Sequence, residues 1–108
     1  MKDSELIYES IGNLARYGWR RHGYGSPAEG FCIAGAVYFA TGISPYEAGI
    51  SPYEEPDKLC SPLAAVTVVL RAKGYPHVAR FNDDPQTTYE DVVLAMKEAA
   101  YELEEQGL

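Results

Sequence analysis

The chain is 108 residues long, 46% hydrophobic and 23% charged, with a formal net charge of -7. That length and apolar content suit a single domain, 1–108, with one core, and exclude the low-hydropathy, high-charge balance of a disordered protein. All of the excess charge lies beyond residue 41, since the residues before it carry equal numbers of acidic and basic groups. General affinity for a nucleic-acid backbone, which needs cations against phosphate, is therefore disfavoured. The opening Met1-Lys2-Asp3-Ser4-Glu5 lacks the basic-then-apolar layout of a secretory signal, and no apolar run approaches the roughly 18 residues of a membrane span. Two cysteines, Cys32 and Cys60, are too few for a disulfide framework. A cytoplasmic location, free thiols and no membrane partner are expected.

The first helix is expected to begin after Asp3 or Ser4 and to bury Leu6, Ile7, Ile11, Leu14 and Ala15, which recur at spacings of three, four and seven. Gly18 ends it. The glycine-rich stretch Trp19 to Pro27 reads as an ordered loop. A second, central helix is expected over Phe31 to Ala40, with the small residues Ala34, Gly35 and Ala36 permitting close approach by a neighbour and Gly42 as its stop. Ile43 to Pro56 then holds a tandem duplication, Ile43-Ser44-Pro45-Tyr46-Glu47-Ala48-Gly49 and Ile50-Ser51-Pro52-Tyr53-Glu54-Glu55-Pro56, in which five of seven positions match. We read 43–56 as a loop insertion, first as a slippage-type duplication tolerated in a surface loop and, as the alternative, as a binding loop that presents Tyr46 and Tyr53 as repeated contact residues.

Ser61-Pro62 opens a third, buried helix over Leu63 to Lys73, stopped by Gly74. Tyr75 to Phe81 reads as extended. Thr88 caps the last helix, with Asp91 in position to return the bond, and Val92, Val93, Met96, Ala99, Ala100 and Leu103 form its buried stripe, leaving Glu98, Glu102, Glu104 and Glu105 mostly outside. The expected fold is all-α, a compact bundle of about four helices, with a short extended pair placed near Trp19 to Tyr24 and His77 to Phe81.

Two segments carry a resemblance. Gly18-Trp19, His22-Gly23-Tyr24-Gly25 and Cys32-Ile33-Ala34-Gly35-Ala36 form one pattern; Phe81-Asn82-Asp83 and Thr88-Tyr89-Glu90-Asp91-Val92 form the second. In this order they resemble a family of small proteins of actinobacteria and their phages that is known as a domain of unknown function. Phe81 stands where that family has Trp, and the duplicated segment matches no part of its pattern. The resemblance implies a helical fold, an actinobacterial or phage origin and no established activity. Trp19, Cys32, Gly35, Asn82, Asp83 and Thr88 then read as pieces of one folding motif.

Several residue sets have the composition of a site. Cys32 near a helix N-terminus, with His22 or His77 and Asn82 or Asp83, matches a thiol-dependent hydrolase or transferase, in which Cys32, His22 and Asp83 would be catalytic. The competing reading makes Cys32 a small core residue. Cys32, Cys60, His22 and His77 have the composition of a zinc site but none of its short paired spacings, and Asn82-Asp83-Asp84 lacks the further oxygen ligands of a calcium loop, so no metal or cofactor is expected. Arg20 and Arg21 sit in a basic, aromatic cluster suited to a self-contact or an acidic partner. The leading expectation is a small non-enzymatic protein-interaction protein, a phage accessory factor that binds a host protein through Tyr46 and Tyr53 or through Glu98, Glu102 and Glu105. An acidic imitation of DNA is a further alternative.

Overall fold

The computed structural model describes residues 1–44 and 60–108. Tyr46 and Tyr53, and with them most of the duplicated segment, lie outside the described residues.

Helix α1 spans Asp3–Tyr17 and buries Ile7 and Leu14, as their spacing requires. Its buried edge is displaced from the expected one: Ala15 faces solvent, and Ser4 and Ser10 take buried positions instead. Both serines hydrogen-bond to backbone carbonyls, Ser10 Oγ donating to Leu6 O at 2.7 Å and Ser4 Oγ to Leu108 O at 3.2 Å, which removes the cost of burying a hydroxyl.

The short strands β1, Gly25–Ser26, and β2, Gly30–Phe31, pair antiparallel, and Phe31 forms a further bridge with Trp19. This replaces the extended pair expected near Trp19 to Tyr24 and His77 to Phe81. It also delays the second helix: α2 spans Ile33–Thr41, because Phe31 is held in β2, and Cys32 becomes the cap, its Sγ accepting the Gly35 N–H at 3.3 Å. Gly42, at φ +79°, ends α2.

Helix α3 spans Ser61–Ala72 with Pro62 in its first turn. Leu63, Val66, Val69 and Leu70 are buried, while Val68 faces outward, so the helix has a solvent side that its near-continuous apolar sequence concealed. The segment read as extended forms a short helix, α4, over Val78–Asp83. Its buried residues Val78, Ala79, Phe81 and Asn82 share one helical face, and the His77 carbonyl accepts from Arg80 N at 3.1 Å. Seven residues are too few to separate such a face from an alternating strand by pattern alone.

Helix α5, Tyr89–Glu105, begins in a complete capping box: Thr88 Oγ1 accepts from Asp91 N, and Asp91 Oδ2 accepts from Thr88 N. It buries Val92, Ala95, Met96, Ala99, Ala100 and Leu103. Helix α1 packs against both α2 and α5, and α3 closes the other side of α5. The core lies between these four helices. At one corner of it α4, the strands and the loop after α1 converge.

Candidate functional site

At that corner the chain leaves α1 through Gly18, and the following loop is fixed to β2 on both sides of Trp19. Phe31 N donates to Gly18 O at 2.8 Å, and Arg20 N donates to Phe31 O at 2.9 Å. The loop then turns back toward α2, where Tyr24 O accepts from Cys32 N at 3.3 Å. That carbonyl lies so close to the first turn of α2 that a Cβ on Gly35 would come within 2.0 Å of it. Gly25 is equally confined, at φ +85° with a notional Cβ 1.8 Å from Gly30 O. The glycines of this region are needed because backbone packs on backbone.

Asn82 of α4 locks the corner. It is only 1% exposed, and its amide makes four hydrogen bonds, the full capacity of that group. Oδ1 accepts from Trp19 Nε1 at 2.7 Å and from Ile33 N at 3.0 Å; Nδ2 donates to Arg20 O at 2.9 Å and to Asp83 Oδ1 at 3.0 Å. One side chain thus joins the Trp19 loop, the start of α2 and α4. Asp83 adds a further tie, its Oδ1 accepting from His22 N at 2.8 Å, which helps hold His22 at its unusual φ of +62°. Arg21 completes the clasp from the other side: its guanidinium lies 4.6 Å from the Trp19 ring centroid and donates to the carbonyls of Asp84 and Thr87. Arg20 is likewise engaged, with Glu29 at 3.0 Å and the His22 carbonyl at 3.0 Å.

Cys32, His22 and Asp83 are therefore neighbours, but in an arrangement unsuited to nucleophilic chemistry. Cys32 is 7% exposed, and burial pushes its thiol from 9.0 up to about 11, although the Gly35 N–H at its sulfur opposes the rise. Near neutral pH it is a thiol, not the thiolate that attack requires. The His22 ring is 77% exposed and lies 3.6 Å from Asp83 Oδ2. Between Gly23, Cys32, Ala79, Asn82 and Asp83 lies a cavity of about 20 Å³, room for one water and for no substrate. Among the described residues, no three His, Cys, Asp or Glu side chains gather as metal ligands, and Cys32, Cys60, His22 and His77 form no such set.

The remaining surface differs in character. Leu94 and Tyr101 of α5 are 58% and 61% exposed, and Glu98 and Glu105 share their helical face at intervals of three and four residues. Glu102 flanks that face and is exposed, Glu98 pairs with Lys73 at 3.1 Å, and Glu104 accepts from the Tyr8 hydroxyl at 2.5 Å. Sequence reasoning picked out the glutamates and missed Leu94 and Tyr101. The signal was present in the spacing 94, 98, 101, 105, which falls opposite the buried stripe.

No helix among the described residues is long and apolar enough to cross a membrane. A family model described as a family of unknown function (DUF6197) matches residues 2–102. No curated protein and no solved structure matches the chain.

Proposed function

Because the chain belongs to this family of unknown function, we propose from its surface that it is a small non-enzymatic protein-interaction protein that engages a basic protein partner through the outer face of α5. The observation that carries this reading is the exposure of Leu94 and Tyr101 within an acidic field. Around them the helix bears Glu90, Asp91, Glu98, Glu102, Glu104 and Glu105 against Lys97. An aromatic and an aliphatic anchor ringed by like charge suit a partner with an apolar pocket and a basic rim, where charge governs approach and the apolar anchors supply most of the affinity. The residues best equipped for chemistry support the same reading, since Cys32, Asn82, Asp83 and Arg21 are engaged in holding the fold together. A phage accessory factor that occupies a host protein is the setting we propose for such a surface.

The test is affinity capture from an actinobacterial lysate. The wild-type chain is compared with Leu94→Ala/Tyr101→Ala and with Glu98→Gln/Glu102→Gln/Glu105→Gln, after circular dichroism has shown that both variants fold. The expected result is a stoichiometric protein captured by wild type, depleted about tenfold or more by either variant, and weakened as salt rises. Equal capture by all three chains, or no stoichiometric protein at all, would overturn the proposal.

A further inference from the structure

Beside the acidic face, the C-terminal end of α3, the α4–α5 turn and α5 enclose a groove of about 380 Å³. We propose that this groove seats the guanidinium side chain of one arginine of the basic partner. The inference rests on the reading above and names the contact that would give it specificity.

The groove is layered as an arginine side chain is. Its floor is Phe81, Thr87 and Ala95, all more than nine-tenths buried, and Tyr75 and Leu94 line its walls. The Tyr75 and Phe81 rings meet edge to face at 5.1 Å, so the apolar lining includes aromatic surface on which a methylene stem and a flat guanidinium both pack well. Asp91 and Glu98 bring carboxylates to the lining. Asp91 Oδ2 accepts from Thr88 N, which leaves Oδ1 available. Glu98 already binds a cation, because the Lys73 ammonium sits 3.1 Å from its Oε2 with both side chains half exposed. Such an exposed pair is weak, and a guanidinium that binds a carboxylate through two parallel N–H groups is the better ligand. Lys73 therefore acts as a removable occupant, and a partner arginine replaces it at Glu98. The surplus of carboxylate over ammonium in the lining selects a cation, and the apolar floor selects one with a long stem.

The experiment titrates N-acetyl-arginine amide into the full, isotopically labelled chain and follows backbone amide resonances, with N-acetyl-citrulline amide as the uncharged analogue. Saturable shifts are expected at Thr87, Leu94, Ala95 and Glu98, with citrulline about tenfold weaker. Glu98→Gln should weaken arginine binding about tenfold, and Lys73→Met, which frees Glu98, should tighten it about threefold. Equal shifts with citrulline, or shifts scattered over the acidic surface and indifferent to Glu98→Gln, would overturn the proposal, as would Lys73→Met without a gain. Binding of arginine here while the α5 surface variants leave partner capture unchanged would retain the groove and remove the partner reading. Partner capture lost in the surface variants, with no arginine bound, would do the reverse.

Discussion

Replacing Asn82 by alanine removes four hydrogen bonds from a site with almost no access to water. The Ile33 N–H is buried, and losing its partner costs about 1–3 kcal/mol. Trp19 Nε1 and Arg20 O belong to half-buried residues that recover some hydration, so each loss is worth about 1 kcal/mol. The bond to Asp83 is local and adds little. We expect a destabilisation of about 4 kcal/mol, a large share of the roughly 5–15 kcal/mol that holds a domain folded. Urea unfolding followed by far-ultraviolet circular dichroism measures it, as a lower midpoint with an unchanged slope. Asn82→Asp is the sharper variant. It keeps the one oxygen that accepts from both Trp19 and Ile33 but turns the donor that faces Arg20 O and Asp83 into another acceptor, and is expected to be comparably destabilising. A loss below about 1 kcal/mol for alanine, or near wild-type stability for aspartate, would refute the assignment of this amide as the lock of the corner.

The remaining predictions concern the same elements. Cys32 should react with iodoacetamide at neutral pH far more slowly than a free thiol, reaching comparable rates only in denaturant, because burial holds it as a thiol. Since its folded value lies above the unfolded one, its contribution to stability is fully present below pH 9 and is lost as pH rises toward 11, so the fall in stability between pH 8 and pH 10.5 should be smaller in Cys32→Ala by about 2 kcal/mol. Gly35→Ala must displace the Tyr24 carbonyl and should destabilise by about 1–3 kcal/mol or more, whereas Gly12→Ala, with nothing near its added methyl group on the exposed side of α1, should stabilise by about 0.5–1 kcal/mol in the same assay. Thr88→Ala opens the capping box and should cost about 1 kcal/mol by thermal or urea unfolding.

Long helices were readable where their periodicity was long. The Thr88 cap follows from the residues alone, since a capping box is a local device with a fixed spacing, and so does most of the buried stripe of α5, although Val93, expected inside, is half-buried and Ala95 is buried in addition. In α1 the pattern found Ile7 and Leu14 but placed Ala15 inside, because the competing buried positions are serines whose burial depends on carbonyl partners that hydropathy does not record. Helix α4 was missed because it is short, and the strand pair was misplaced because its residues, Gly25–Ser26 and Gly30–Phe31, carry no alternation at all. What fixes the strands is backbone contact with each other and with the loop after α1, and what fixes α4 is the Asn82 side chain. The arrangement around Asn82 is likewise non-local, joining residues 49 to 63 positions apart, so the residue types were visible and their geometry was not.

Trp19 is the one tryptophan in the chain, and its indole N–H rests on Asn82 while Arg21 covers its face and Tyr89 meets its edge at 6.5 Å. Its emission therefore reports on this corner and on nothing else in the molecule. A shift in tryptophan fluorescence that precedes the loss of helical signal would mean that α4 lifts away while the four-helix core stays intact. Coincident curves would mean that the corner and the core melt as one unit. The protein carries a built-in optical gauge at the point where the loop after α1, the start of α2 and α4 are held together.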